Sequence, residues 1–365
     1  MEVFTRIKLP MSCLMNNGFA GHQSMARSQV IPSEHWNMSS LHNPRINLRG
    51  SNTIIAIIDG GVNIQYELLH TKYNGGRGSI SGRNFVPELN LSTQIVELDP
   101  SRWQGQDHHG TAVATIVGGY TGSVLTGNFY CYGIAPDAYL YVCRVFREGK
   151  MYGKLLDVLQ HLLDLKTRKD NTGLDIDIIC MSLGFGAKNR GVEDVLSELS
   201  RNGVLLCAAA GNKGDYQQGA QFPASDPNVL SIGALKPQGQ ISDLNPRDGV
   251  DVYAPGEDIA FPIPNAKCIV DDGTSYATPM VTGFLSLLIQ CAKAYSGSAK
   301  NVVKMYHDVR FLQQLFLKRE LCDQKRLFHT DKFLTGIISR YNHGEKNVMV
   351  QLIQEVYDDF EPDES

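Results

Sequence analysis

Residues 52–62 read NTIIAIIDGGV, and the reading of this stretch decides the fold. Five apolar residues, Ile54 to Ile58, run without a polar break and stop on Asp59 and Gly60-Gly61. A short, mostly β-branched run closed by turn residues predicts a strand buried on both faces, the signature of a parallel sheet. The same pattern recurs along the chain. AYLYVCRVF (138–146), IDIICMSLG (176–184), VLLCAAAGN (204–212) and NVLSIGAL (228–235) read as further strands. Between them TAVATIVGGY (111–120), LLDVLQHLLDLKTRK (155–169) and VEDVLSELSRNG (192–203) carry apolar residues at helical spacing, the last ended by Gly203. SYATPMVTGFLSLLIQCAKAY (275–295) predicts a long helix. Strands alternating with helices of these lengths imply a parallel sheet covered on both faces, with functional groups at the carboxyl ends of its strands. The Gly-rich NGGRGSISGR (74–83) lacks the Gly-Lys-Ser/Thr ending of a phosphate loop and reads as a surface loop.

Bulk properties narrow the function. With 365 residues, 42% apolar and 20% charged, the chain can bury a sizeable core. A net charge of −4 gives no electrostatic case for nucleic acid, and the apolar runs are too short to span a bilayer. MEVFTRIKLPMSCLMNNGFAGHQ at the start lacks the apolar core of a secretory signal. The eight cysteines form no Cys-x-x-Cys pair, and Cys143, Cys180 and Cys207 sit in apolar strand-like runs. Reduced thiols and a cytoplasmic setting are expected.

Four polar residues stand at element ends. Asp59 closes a buried strand among small neighbours, a place suited to a carboxylate that orients a base. His109, in DHHGTAVATIVGG, precedes Gly110-Thr111, where an imidazole can present one nitrogen to an acid and the other to a hydroxyl; His108 lacks that junction. Asn212 closes AAAGN, with an amide able to donate to an oxyanion. Ser275, in DDGTSYATPM (271–280), begins a helix whose terminal N–H groups and dipole favour negative charge. Pro279 falls in the same early helix, where a missing N–H costs least if the helix effectively starts after Ser275. Each residue alone has an ordinary explanation: a strand-to-turn Asp, a helix-leading His, an Asn-Lys-Gly turn, a helix cap. Together they supply nucleophile, base, orienter and oxyanion donor.

The linked motifs IIAIIDGGV, HGTAVATIVGG, MSLG, AAAGN and GTSYATPMVTG resemble the subtilisin-like (subtilase) serine proteases, with Asp, His and Ser in the order of subtilisin. GIAPDAYLYVCRV (133–145), VLSIGAL (229–235) and VYAPGEDI (252–259) fit the same family, and the likeness covers roughly residues 35–295. The resemblance implies a three-layer α/β fold, with a mainly parallel central sheet and helices on both faces. It implies a triad of Asp59, His109 and Ser275, with Asn212 in the oxyanion hole. Ser182, Leu183 and Gly184 would pair with an extended peptide, and Ala209, Ala210 and Gly211 would wall the first specificity pocket. The expected activity is endopeptidase acyl transfer on polypeptides; the competing expectation is a peptide-holding or signalling scaffold without turnover.

Departures shape the remaining expectations. Gly60 stands where subtilisins usually carry Ser or Thr, loosening a hydrogen bond beside the carboxylate. Residues 1–34 form an N-terminal extension too short for a typical inhibitory prodomain, residues 35–296 the catalytic domain, and residues 297–365 a helical C-terminal extension with an acidic tail. YSGSAK (295–300) reads as a hinge and FLQQLFLKRELCDQKRLF (311–328) as an amphipathic helix packed on the core. Control by a regulatory protein partner or by the termini is left open. No cofactor is required, no metal ligand is assigned, and a structural calcium finds no acidic cluster of suitable spacing to support it. Lys213, Asp215 and Gln221 border the first pocket, where an inward Asp215 would favour a basic residue.

Overall fold

The computed structural model describes residues 49–63, 69, 79–87, 108–119, 133–147, 149–167, 174–237, 239–263 and 267–294. The N-terminal extension, the hinge at 295–300 and the C-terminal segment 297–365 lie outside them.

Strand β1 (Ile54–Asp59) lies inside a seven-stranded sheet. Its companions are β2 (Ile80–Asn84), β3 (Tyr139–Arg144), β6 (Ile178–Met181), β7 (Leu205–Ala209), β8 (Leu230–Leu235) and β9 (Val252–Pro255), in the order β2-β3-β1-β6-β7-β8-β9. Every neighbouring pair is parallel. Two small antiparallel hairpins are added: β4 (Phe146–Arg147) with β5 (Lys150–Met151), and β10 (Ile259–Ile263) with β11 (Lys267–Asp271). Among the described residues four helices accompany the sheet: α1 (His108–Gly118), α2 (Leu155–Lys166), α3 (Arg190–Arg201) and α4 (Thr274–Ala294).

Side-chain alternation assigns the layers. Ala56, Ile58, Cys143, Ile179, Met181, Leu206 and Ala208 pack with α2 and α3 on one face. Leu155, Val158, Leu159, Leu162 and Leu163 form the buried stripe of α2. Asn189 caps α3 by accepting from Val192 N–H, and Gly203 at φ 78° ends it. Residues of the other parity, Cys180 and Cys207 among them, face α4. Helix α1 lies beside α4 against β1. The result is a three-layer α/β/α fold.

The Gly-rich 74–83 stretch differs from its surface-loop reading, since residues 80–84 form the edge strand β2. Its Gly82 is buried against β3, where a Cβ would overlap the Val142 carbonyl oxygen. Close approach of the two backbones, not strand propensity, selects glycine there. The thiols of Cys143, Cys180 and Cys207 are free and buried. Burial pushes Cys180 up to about 12, so it behaves as a small apolar side chain.

Helix α4 runs antiparallel to the strands, with its start at their carboxyl edge and its end at their amino edge. Near that end Lys293 Nζ donates to the Asn52 carbonyl at 2.9 Å and to the buried Asp177 carboxylate at 2.7 Å. Asp177 also accepts from Ile54 N–H at 2.9 Å. Lys293→Met is expected to destabilise the fold by about 2 kcal/mol, less than for a fully buried pair because the ammonium is partly in water. Burial raises the Asp177 pKa while Lys293 opposes the rise. A carboxyl raised in the fold costs stability as pH climbs from its unfolded pKa, about 3.9, through its folded one. Without Lys293 that cost grows. The variant's deficit should be greatest at neutral pH and smallest below about pH 4, as read from urea midpoints across pH.

Candidate active site

Asp59 shares the parity of Ile55 and Ile57, so the end of β1 turns its carboxylate toward α1. It is 3% exposed, and Oδ1 accepts from Gly60 N–H at 2.6 Å. The backbone of Gly60 thus bonds the carboxylate without a Ser or Thr side chain. Both carboxylate oxygens lie 3.0 Å from His109 Nδ1. Helix α1 begins at His108 rather than after Gly110-Thr111, so His109 sits inside its first turn. A Cβ at Gly110 would overlap the Gly61 carbonyl and approach Asp59 Oδ1 to 3.0 Å. The small residue lets helix and strand close on each other. On its far side the imidazole meets the ring of Tyr276, with centroids 5.5 Å apart. Tyr276 is held by its hydroxyl, which donates to Asp271 Oδ2 at 2.6 Å. The imidazole therefore stands between the end of β1 and the start of α4.

Ser275 is the second residue of α4. Its hydroxyl donates to the Ser182 carbonyl at 3.3 Å, and the Ser182 hydroxyl donates back to the Ser275 carbonyl at 2.8 Å. Asn212 is exposed at the end of the loop after β7. Its Oδ1 accepts from Thr274 N–H at 2.8 Å and from the Thr274 hydroxyl at 2.9 Å, while Gly211 N–H donates to that hydroxyl at 3.2 Å. Thr274 N–H can only donate, so the atom facing it is the amide oxygen, and Nδ2 faces the other way. The space beside Gly273 is where that amide looks. A Cβ on Gly273 would stand 3.1 Å from Asn212 Nδ2 and 3.6 Å from Ser275 N. The Asn212 amide nitrogen and the Ser275 backbone nitrogen thus border one position next to Ser275.

The flanking segments meet as well. Ser182 and Leu183 are buried and Gly184 is exposed at the carboxyl end of β6. Phe185 and Phe222 exchange backbone hydrogen bonds at 2.6 and 3.1 Å. Ala209, Ala210 and Gly211 are buried, with Ala210 O accepting from Gln221 N–H at 2.9 Å. The Gln221 side chain lies across Gly184, where a Cβ would come within 2.5 Å of its Oε1. The condition of an inward Asp215 is not met: it is exposed and accepts from Arg247 Nε at 3.2 Å. Thr274, which fixes the Asn212 amide, and Tyr276, which backs the imidazole, were not singled out from the sequence. Both flank Ser275 and were legible only as part of a helix start. Among the described residues no group of three or more His, Cys, Asp or Glu side chains is placed to hold a metal ion, and no helix is long and apolar enough to cross a membrane.

Sheet, helices and polar edge define the class, an α/β protein with its candidate site at the carboxyl edge of the sheet. The model of the subtilase family matches residues 50–321. The chain is 29% identical to the Intracellular serine protease of Paenibacillus polymyxa, over 67% of this chain and 69% of that protein. It is 27% identical to the Major intracellular serine protease of Bacillus subtilis (strain 168), over 66% and 69%. The solved structure of a mutant of the protease domain of PatA shares the fold, with a TM-score of 0.57 at 24% identity over 82% of this chain and 98% of that one. The chain belongs to the subtilase family: it is a subtilisin-like serine protease, and its substrate is polypeptide.

Proposed function

We propose that the chain is an endopeptidase in which Ser275 attacks the scissile carbonyl. His109 Nε2 takes the Ser275 proton as the C–O bond forms, and returns it to the amine as the C–N bond breaks. Asp59 holds the Nδ1–H tautomer and stabilises the imidazolium. Asn212 Nδ2 and Ser275 N–H receive the oxyanion in the space beside Gly273. Water then repeats the sequence to release the acyl group. The observation that carries this reading is the pairing of both Asp59 oxygens with His109 Nδ1 at 3.0 Å, on the side of α1 that faces the start of α4. At rest the Ser275 hydroxyl donates to the Ser182 carbonyl, and for the attack it would turn from there to the imidazole. An extended peptide would lie between residues 182–184 and 209–211, bound through its backbone.

A fluorophosphonate probe tests the reading: it should label Ser275 in the wild type and fail in His109→Ala. Unlabelled wild-type protein, or labelling at another serine, would overturn it. Asn212→Ala should lower kcat on the order of 10²- to 10³-fold, the size found in subtilisin itself, with KM nearly unchanged. A loss confined to KM would mean that the amide binds substrate and not the transition state. The names of the two bacterial relatives support an intracellular site of action. Control by a partner or by the termini belongs to the same proposal. Equal peptidase rates before and after removal of residues 300–365, and with or without cell extract, would argue against it.

A further inference from the structure

We infer that Ser182 is a positioning residue for the nucleophile: its hydroxyl replaces the backbone donor that Pro279 removes from the Ser275 carbonyl. The inference rests on the reading of Ser275 as nucleophile. In an α-helix the carbonyl of residue 275 accepts from the N–H of residue 279. Helix α4 starts at Thr274 and includes Pro279, which has no N–H and whose ring pushes against that carbonyl. The helix thus starts one residue ahead of the 275–295 expected from the sequence, and Pro279 falls within it. The orphaned acceptor belongs to the nucleophile itself.

The Ser182 hydroxyl fills the gap at 2.8 Å. It is buried, and its other polar neighbour is Cys180 Sγ at 4.0 Å, a weak partner. Its one proton is therefore committed to Ser275. The Ser182 carbonyl holds the Ser275 hydroxyl at 3.3 Å, so one residue grips the nucleophile at two points. The grip is stiff at its base, since Ser182 follows β6, which is bonded on both sides, to β1 and to β7. Fixing the peptide after Ser275 fixes the backbone torsion that aims Oγ. A donor from the helix's own backbone would move with the helix. A donor from β6 instead ties the serine to the strand that also leads into the 182–184 segment.

The test is a cycle of four proteins: wild type, Ser182→Ala, Pro279→Ala and the double variant. Read-outs are the fluorophosphonate labelling rate at Ser275, kcat and KM on one peptide, and the thermal midpoint. Ser182→Ala should slow labelling and lower kcat roughly tenfold, with KM within about twofold, because a buried acceptor loses its donor. In the Pro279→Ala background residue 279 has an N–H to give, and the same change should cost less than about threefold. Equal losses in both backgrounds would overturn the inference, as would a loss in KM or a lowered midpoint with unchanged labelling. If the double variant does not fold, Ser182→Cys decides, exchanging a strong donor for a weak one at nearly constant shape. It must lower kcat at least about threefold. Wild-type protein that is not labelled at Ser275 would instead sink the underlying assignment of the nucleophile.

Discussion

Replacing Ser275 with alanine is expected to lower kcat about 10⁶-fold, the loss that follows removal of the serine in subtilisin, a member of the same family. The change deletes one oxygen. That oxygen makes a single long hydrogen bond to the Ser182 carbonyl, so the fold loses little with it. The Ser182 hydroxyl keeps its bond, because its acceptor is the main-chain carbonyl of residue 275. The donors beside Gly273 stay as well, since one is Asn212 Nδ2 and the other the backbone N–H of residue 275. A residual rate about 10³- to 10⁴-fold above the uncatalysed reaction should therefore survive in the variant. The measurement is kcat on a fluorogenic peptide together with a thermal midpoint. Unchanged folding with more than a hundredth of wild-type kcat would remove Ser275 from the mechanism.

What could be read from the sequence followed from physical strength of signal. Strand β1 was legible because its five apolar residues, four of them β-branched, are too few for a helix and close on turn residues, and α2 because its leucines repeat at helical spacing. Strand β2 was not. ISGRN has the composition of a loop, and only the approach of the Val142 carbonyl explains why Gly82 belongs in a sheet. The hairpin of β10 and β11 was missed because it contains Pro262, which argues against a central strand yet is tolerated in a two-stranded ribbon. In the site, Asp59, His109, Asn212 and Ser275 were legible from residue type and element end. Their alignment was not. Thr274 orients Asn212 across 62 positions and Ser182 meets Ser275 across 93, and neither separation leaves a local trace. Asp215 shows the converse: a position near the pocket does not give direction, and its partner Arg247 lies 32 positions away. The one local clue to the Ser182 contact was Pro279, four residues after Ser275, which states in advance that a carbonyl needs another donor.

Asp59→Asn should lower kcat about 10⁴-fold with almost no change in shape, and the reason lies in a single backbone bond. Gly60 N–H donates to Asp59 Oδ1 at 2.6 Å. An N–H can only donate, so an asparagine here must keep its carbonyl oxygen on the Gly60 side. The amide nitrogen then takes the place of Oδ2, 3.0 Å from His109 Nδ1. It too can only donate. Although the amide oxygen also lies 3.0 Å from Nδ1, a ring N–H there would face the amide hydrogens, so Nδ1 becomes the acceptor. The imidazole proton moves to Nε2, where the base should have had its lone pair. His109 then faces Ser275 as a donor, and no group remains to accept the hydroxyl proton. The effect acts through proton position, so KM and the thermal midpoint should stay near wild type while kcat collapses. Nitrogen chemical shifts of the His109 ring should report the Nδ1–H tautomer in the wild type and the Nε2–H tautomer in the variant. A variant that keeps the Nδ1–H tautomer, or that loses less than about tenfold in kcat, would show that Asp59 does not set the proton on which this chemistry depends.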